Sequence, residues 1–250
     1  MTSLATDLLR ALDPVALGAE IGLEEPDPWQ QQVLRSGAAR VLMNCCRQSG
    51  KSTVAAVAAT HTALYEPGSL ALVLSPGLRQ STETFRKIVG CYRGAGRPVP
   101  AEVENKLSLE LANGSRIVSL PGTEATVRSF SAVRLLVIDE AARVADDLYR
   151  TVRPMLAVSG GRIVALSTPF GQRGWWHAAW TSTEPWLRVQ VPATDCPRIS
   201  PEFLAEEERT LGEWWFRQEY ECAFMDAETA AFASRHVEQM FSEEVQAWQL

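Results

Sequence analysis

Long apolar runs are missing from this 250-residue chain: none reaches the length of a membrane span, and Asp7 and Arg10 stand where a signal peptide needs an apolar block. The five cysteines show none of the paired spacings of zinc sites, and an odd number with an adjacent pair suits reduced thiols better than a disulfide framework. Internal repeats and low-complexity segments are also absent. Together these absences predict a globular protein of the cytosol that does not contact a membrane.

The chain also lacks an excess of positive charge, with 24 lysines and arginines against 30 acidic residues and a formal net charge of −6. Such a balance gives no overall attraction to polyanions, so that contact with nucleic acid requires a local basic patch or a symmetric assembly. Candidates for the patch are Arg79, Arg86, Lys87, Arg93 and Arg97, and scattered solvated side chains are the alternative. The length and an ordinary composition predict one large α/β domain with room for a small appended subdomain.

A polar turn after a short apolar run is the first motif with chemical meaning. Residues 41–43 are apolar, and Gly50-Lys51-Ser52 leads from the turn into a helical pattern of small residues. Strand, turn and helix start in this order form the context of a phosphate-binding loop, because free N–H groups and the helix dipole favour phosphate oxygens. We predict that Lys51 reaches the β- and γ-phosphates and that the Ser52 hydroxyl binds Mg²⁺. Cys45 replaces the first glycine of the strict pattern, and a chance Gly-Lys-Ser is the alternative.

Two adjacent carboxylates follow a second apolar strand. Residues 135–138 are all apolar, and Asp139 and Glu140 come directly after them. Because ligands bind outside the carboxyl ends of parallel strands, this pair is expected to face the same crevice as the loop. Asp139 is predicted to hold Mg²⁺, usually through water, and Glu140 to orient and deprotonate the attacking water. A strand that ends in a helix-capping Asp-Glu pair is the alternative.

Two further pairs of residues are candidates for contacts to a nucleotide. Gln30 can pair with an adenine edge, since its amide both donates and accepts, and Trp29 offers a flat apolar wall. The alternative is a surface helix with Trp29 tucked into the core. Ser167 and Thr168 end another buried strand, where they either sense the γ-phosphate or cap the turn that follows.

The remaining patterns predict a mostly parallel sheet flanked by helices. Asn113-Gly114 lies between two alternating segments and is a strong hairpin signal. Residues 201–225 are predicted to form a helical pair with Trp214 and Trp215 packed in the core, and 226–250 an acidic amphipathic tail. The other predicted elements are a helix over 4–21 interrupted at Pro14, a helix over 80–91, buried strands at 70–75 and 162–168, and an edge strand at 188–191.

Assembled, these pieces resemble the ATPase domain of the large terminase subunit of tailed bacteriophages, the motor that packages DNA into a procapsid. The loop 46–52 carries Arg47-Gln48 and the missing first glycine that are typical of terminases. Residues 136–142, Leu-Val-Ile-Asp-Glu-Ala-Ala, are similar to their Asp-Glu-Ala-Ala segment, and Ser167-Thr168-Pro169 resembles their coupling motif. Residues 216–220, Phe-Arg-Gln-Glu-Tyr, followed by Phe224, resemble the segment that closes the ATPase portion.

The resemblance implies a RecA-like (ASCE) P-loop NTPase fold of the α/β class, with an ATPase core at 1–180 and a small helical lid or linker subdomain with the tail at 181–250. It implies ATP and Mg²⁺ as cofactors. Gln30 matches the adenine-reading glutamine, Arg47 the arginine that touches the γ-phosphate in cis, and Ser167 and Thr168 the coupling element. Arg128 resembles the arginine donated to a neighbouring subunit, with Arg134 as a nearby alternative. The nucleotide-binding set is Trp29, Gln30, Gln48, Ser49, Gly50, Lys51, Ser52, Thr53, Ser167 and Thr168; the catalytic set is Arg47, Lys51, Arg128 and Glu140; the metal ligands are Ser52 and Asp139.

The resemblance further implies ATP-driven translocation of double-stranded DNA in the host cytoplasm, by a ring on a portal that works with a small terminase subunit. One departure is that chains of this family continue into a metal-dependent nuclease domain, whereas this sequence stops about where that domain starts; we therefore expect no nuclease activity. Two alternatives remain open. One is a helicase-like ATPase, which normally needs a second RecA-like domain. The other is a binding module that ATP switches and that hydrolyses ATP slowly.

Overall fold

One eight-stranded sheet forms the centre of the computed structural model, which describes residues 4–122, 127 and 129–226. Its strands are β1 (Arg40–Cys45), β2 (Leu70–Ser75), β3 (Ala101–Glu104), β4 (Ser108–Leu111), β5 (Arg116–Pro121), β6 (Leu135–Asp139), β7 (Arg162–Ser167) and β8 (Leu187–Val191). They lie in the order β3-β4-β5-β2-β6-β7-β1-β8. From β5 to β8 across the sheet, all neighbours are parallel, and β3 and β4 extend it as antiparallel strands.

Helices cover both faces of this sheet. They are α1 (Leu4–Leu12), α2 (Pro14–Glu20), α3 (Pro28–Arg35), α4 (Lys51–Tyr65), α5 (Leu78–Gly94), α6 (Asp146–Val152), α7 (Gly174–Thr181), α8 (Pro201–Leu211) and α9 (Glu213–Glu219). Alternate residues of each central strand enter two separate cores: Met43 packs with residues of α4 and α5, and Leu42 packs with residues of α6 and α7. Burial on both faces explains why the central strands are continuous apolar runs.

The strand order determines which loops meet at the carboxyl edge. β7 lies between β6 and β1, and the register pairs Leu166 with both Asp139 and Met43. The segments that follow these three strands therefore leave the sheet side by side. This arrangement brings the loop before α4, Glu140 and Thr168 to one crevice, in line with the rule for parallel strands.

Most predicted elements agree with the structure. The first helix is divided at Asp13-Pro14, and the hairpin forms between β4 and β5, with Gly114 at a φ of +80°. α5 is longer than predicted at both ends, and the short edge strand β3 was not predicted. β8 is the predicted edge strand and pairs with β1, so the sheet continues beyond the predicted core boundary at residue 180. The predicted tail over 227–250 lies outside the described residues.

The predicted core packing of Trp214 and Trp215 is wrong. Trp215 is 40% exposed, and the two rings contact each other edge to face, with centroids 4.9 Å apart. The Trp214 indole N–H donates to the carbonyl of Asp226 at 3.1 Å. The reason is that the helical pair lies near the surface, since α8 contributes no buried residue.

The cysteines and the helices bear on disulfides and on membrane spans. All five cysteines are free thiols, and all are buried. Among the described residues, no helix has the length and apolar character needed to cross a bilayer.

Candidate functional site

The loop between β1 and α4 has the conformation of a phosphate cradle. Gln48 and Gly50 adopt left-handed backbone conformations, with φ values of 60° and 91°. A Cβ on Gly50 would lie 2.8 Å from the side-chain nitrogen of Gln30, so glycine is required there by both space and conformation. The Ser49 hydroxyl and the Lys51 ammonium both donate to the carbonyl of Cys46, at 3.0 and 3.2 Å. These bonds close the loop on itself at the start of α4.

The missing first glycine has a structural explanation. Cys45 is the last residue of β1, fully buried and paired with Val191 of β8. An extended strand residue needs no left-handed conformation, so the position does not require glycine. The next residue continues the contact, since the Cys46 N–H donates to the Val191 carbonyl at 2.9 Å.

A cavity of about 360 Å³ opens above this loop. Besides the loop itself, residues from three other elements form its wall. The lining residues are Arg47, Gln48, Ser49, Gly50, Lys51, Ser52, Thr53, Lys87, Glu140 and Thr168. The structure thus brings nine residues of the predicted site together, while Lys87 was predicted only as part of a basic surface patch.

The Asp-Glu pair lies at the end of β6, where Glu140 lines the cavity above the loop and, among the described residues, Asp139 does not. Asp139 is 5% exposed; its carboxylate accepts hydrogen bonds from the Thr84 hydroxyl and from the Glu140 N–H. Glu140 has a left-handed backbone (φ 50°, ψ 44°), which is uncommon outside glycine and is found at functional sites. Burial raises the pKa of the Glu140 carboxyl above its ordinary value, against the opposing effect of the Lys51 ammonium.

Ser52 and Asp139 are a donor set that suits Mg²⁺. Ser52 lies in the first turn of α4, and Asp139 ends a strand whose loop faces that turn. Mg²⁺ prefers oxygen ligands and keeps several waters, so that one carboxylate and one hydroxyl together with phosphate oxygens are sufficient. The Asp139 oxygens each already accept one hydrogen bond, which fixes the orientation of the carboxylate.

A second cavity of about 480 Å³ adjoins the first, because Gly50 and Thr53 line both. Gln30 is 1% exposed and lies on its wall. The side-chain oxygen of Gln30 accepts from the Asp27 N–H at 2.9 Å, which orients the amide nitrogen towards Gly50. Gln30 therefore lies beside the phosphate-binding loop, on the wall of the second cavity.

Trp29 does not have the predicted position. Within the described part of the chain, the wall of the second cavity does not include it, and its ring packs partly buried against the hydrophobic core. Trp29 and Gln30 are adjacent on α3, so they project in different directions, and only one of them can face the cavity. The alternative of a core-packed tryptophan is the correct one.

The predicted arginines lie in three different environments. Arg47 lines the first cavity, and its side chain, 64% exposed, donates to the buried Glu219 of α9 at 2.5 Å. Arg128 lies outside the described residues. Arg134 precedes β6 at the amino edge of the sheet, where it pairs with Glu66, away from the cavity above the loop.

Ser167, the last residue of β7, and Thr168, the residue after it, lie in different environments. Thr168 lines the first cavity, whereas Ser167 is fully buried and does not line it. The Ser167 hydroxyl has no hydrogen-bond partner among the residues described. Of the two, Thr168 is the one placed to contact a ligand.

The predicted basic patch is partly neutralised. Arg86 pairs with Glu83, and Arg93 and Arg97 both pair with Glu104. These ion pairs set two carboxylates against the five cations of the predicted patch, so positive charge remains on this surface.

Residues that the sequence did not indicate complete the site. Thr84 holds Asp139, Glu219 holds Arg47, and Arg198 binds both Asp27 and the carbonyl of Ser49. Each is a single residue from a distant part of the chain, with no motif around it. Only Glu219 lies in a segment that the family resemblance singled out.

With this geometry established, comparisons with known proteins identify the family. The family model described as "Terminase large subunit, T4likevirus-type, N-terminal" matches residues 42–239. The chain belongs to this family. It is 28% identical over 185 residues to the terminase large subunit of Escherichia phage T5, covering 71% of this chain and 42% of that protein. It is 25% identical over 245 residues to the terminase large subunit of Thermus virus P23-45, covering 84% and 50%.

The chain therefore spans about half the length of the curated relatives it matches. Among solved structures, the large terminase ATPase domain of Thermus phage P74-26 superposes with a TM-score of 0.72 at 22% identity, covering 80% of this chain and 94% of that one. The large terminase of phage HK97 gives 0.66 at 15% identity, covering 79% and 50%. These matches confirm the predicted α/β, RecA-like fold with a mostly parallel sheet.

Proposed function

We propose that this chain binds and hydrolyses ATP with Mg²⁺, as the motor part of a terminase large subunit that moves double-stranded DNA into a procapsid. The observation that carries the proposal is the single cavity lined by Lys51, Glu140 and Thr168, which come from three neighbouring segments at one sheet edge. The large terminase of a thermophilic bacteriophage, solved with ADP and with ATP-γ-S, has a similar fold at TM-scores of 0.63 and 0.60.

The residues around the first cavity divide into binding and chemical roles. Lys51 and the N–H groups at the start of α4 hold the β- and γ-phosphates. Glu140 accepts a proton from the attacking water, and Arg47 stabilises charge on the γ-phosphate. Mg²⁺, held by Ser52 and Asp139, would neutralise the phosphate charge. Thr168 contacts the γ-phosphate and couples the loss of this phosphate to movement of the carboxyl end of β7.

The second cavity takes the nucleoside half of ATP. Gln30 uses its amide N–H groups to donate to the adenine ring, since its side-chain oxygen already accepts from Asp27. The free lone pair of that oxygen accepts from the exocyclic amino group of adenine. Guanine has a carbonyl at the corresponding position, so this contact selects adenine.

We further propose the assembly that the family resemblance implies. The chain forms a ring on a portal in the host cytoplasm, works with a small terminase subunit, and contacts double-stranded DNA. Arg128 or Arg134 completes the site of a neighbouring subunit, and an arginine of this kind can be worth roughly 10³ to 10⁵ in rate. The division into a core (1–180) and a small lid or linker unit (181–250) stays a proposal.

ATP binding and turnover by the purified chain test this proposal. We expect Lys51→Ala to lose both, and Lys106→Ala, a change at an exposed lysine next to the hairpin, to leave both unchanged. Hydrolysis per chain should rise steeply with protein concentration if a neighbour completes the site. A chain that binds no MgATP, or that is unaffected by the Lys51 change, contradicts the proposal.

Two further measurements separate the alternatives. ATP-dependent separation of the two strands of a duplex would favour a helicase-like ATPase. Turnover that stays slow at every protein concentration, with tight binding, would favour an ATP-switched binding module. We expect no metal-dependent nicking of plasmid DNA, and such nicking by the pure chain would contradict that part of the proposal.

A further inference from the structure

Arg198 lies on the wall of the second cavity and belongs to no motif that the sequence identifies. It is part of a turn between β8 and α8 that is closed by a bond from the Ile199 N–H to the Cys196 carbonyl at 2.9 Å. The turn is anchored on the phosphate-binding loop, because the thiols of Cys196 and Cys46 are in contact, with 3.7 Å between the sulfur atoms. The position of Arg198 is therefore set by the loop itself.

The guanidinium is held by three hydrogen bonds. Its two terminal nitrogens donate to the two carboxylate oxygens of Asp27, at 3.1 and 2.7 Å, and one of them also donates to the Ser49 carbonyl at 3.1 Å. Arginine has five N–H donors, so two are uncommitted within the described part of the chain. The Asp27 side chain is 10% exposed and that of Arg198 48%, which leaves a fixed, planar cation with one open side.

The charges around the second cavity indicate which half of a nucleotide it suits. Glu24, Glu25 and Asp27 all line it, and Arg198 is its one cation among the lining residues. A triphosphate is repelled by three carboxylates, whereas a neutral purine and ribose hydroxyls are not. Guanidinium planes stack on aromatic rings and are attracted by their faces.

We propose that Arg198 binds the nucleoside half of ATP in the second cavity, and that Asp27 is its positioning partner. This inference rests on the proposed ATP binding and adds a nucleoside-binding residue to it. Gln30 reads the base edge, and Arg198 stacks on the base face. Asp27 orients both contacts, because its N–H donates to the Gln30 side chain and its carboxylate holds the guanidinium.

The test compares two ligands, Mg·ATP and Mg·tripolyphosphate, by calorimetry and competition. Arg198→Ala should weaken ATP binding about tenfold, or about 1.4 kcal/mol, and leave tripolyphosphate binding unchanged. The KM for ATP should rise by a similar factor, with kcat within about twofold of the unaltered chain. Arg198→Lys should lose most of the same affinity, since an ammonium has neither the plane nor the fork.

A control variant and a double-mutant cycle complete the design. Arg209→Ala, at an exposed arginine of α8 on the same segment, should change neither ligand's affinity. Asp27→Asn should give a smaller loss for ATP alone, and adding it to Arg198→Ala should add no further loss. Thermal unfolding of every variant shows whether it is folded.

Each other outcome has a defined meaning. An equal loss for both ligands would mean that Arg198 only supports the loop through Ser49, and would overturn the inference. No loss of affinity for either ligand would show that Arg198 forms only a surface ion pair with Asp27, and would also overturn the inference. If the unaltered chain binds neither ligand, the proposed function fails as well; if it binds both and only the Arg198 prediction fails, the proposed function stands.

Discussion

Replacing Glu140 by glutamine removes the predicted proton acceptor and little else. The backbone contacts of this residue do not use its side chain: its N–H donates to Asp139 at 3.0 Å, and its carbonyl accepts from the Arg143 N–H at 2.9 Å. The amide also has nearly the same shape as the carboxylate. We therefore expect Glu140→Gln to fold as the unaltered chain does.

The size of the effect follows from the role. A positioned general base contributes roughly 10² to 10⁴ in rate, so kcat should fall by that factor, an increase of about 3 to 5.5 kcal/mol in the barrier. ATP affinity should stay within about threefold, because Lys51 and the loop N–H groups still hold the phosphates. Any change in ATP affinity should be a slight increase, because the substitution removes a negative charge next to the triphosphate.

Phosphate release under single-turnover conditions measures the chemical step, and calorimetry with Mg·ATP measures binding. Glu102→Gln, at an exposed carboxylate of β3, is the matched control and should change neither quantity. A Glu140→Gln variant with a kcat within about fivefold of the unaltered chain would refute the assignment of Glu140 as the base.

The pH dependence gives a second readout of the same residue. The base acts in its ionised form, and burial raises the pKa of Glu140 above its ordinary value. Activity should therefore fall as the pH decreases through this raised pKa, at a higher pH than an exposed glutamate would give. The residual activity of Glu140→Gln should lack this acidic limb.

Further predictions concern the stability of the fold, and urea unfolding measures each. Arg47→Ala should lower the free energy of unfolding by about 1 kcal/mol because it leaves the buried Glu219 carboxylate unpaired, and adding Glu219→Gln should restore part of it. Gly114→Ala should lower the free energy of unfolding by about 1 to 2 kcal/mol, since φ is +80° there. Gly90→Ala in α5 should raise it by about 0.5 to 1 kcal/mol, because no atom lies within 4 Å of the new Cβ. Trp176→Ala should cost about 3 to 5 kcal/mol because this side chain is 1% exposed. The reverse order of the two glycine effects, or a tryptophan change without cost, would contradict this account.

The sequence was sufficient for those parts of the site in which local pattern and sheet geometry act together. The Gly-Lys-Ser loop and the Asp-Glu pair each follow a strand, and both could be assigned to the same edge of the sheet without knowing the strand order. The reason is that the carboxyl ends of parallel strands share one edge. The hairpin at Asn113-Gly114 could be predicted for a similar reason, since turn chemistry and alternation both lie within a short stretch of the chain.

Contacts made by single residues across the chain could not be predicted. Arg198 meets Asp27 from 171 positions away, and Glu219 meets Arg47 from 172 positions away. Arg47 and Glu219 each lie in a segment that the family resemblance singled out, but no sequence pattern marks them, or Arg198 and Asp27, as partners. The error on Trp214 and Trp215 has a related cause, because clustered tryptophans indicate burial only where another element supplies the covering surface.

These long-range contacts share one feature, which is that the segment after β7 supports the phosphate-binding loop. The Val191 carbonyl accepts from the Cys46 N–H, the Glu219 carbonyl accepts from the Arg47 N–H at 3.3 Å, and Arg198 donates to the Ser49 carbonyl. Three of the four residues at 46–49 thus bond to groups that come much later in the chain. Because these bonds use the loop's own backbone, a shift of the backbone at residues 46, 47 or 49 would stretch or break a bond to the segment after β7.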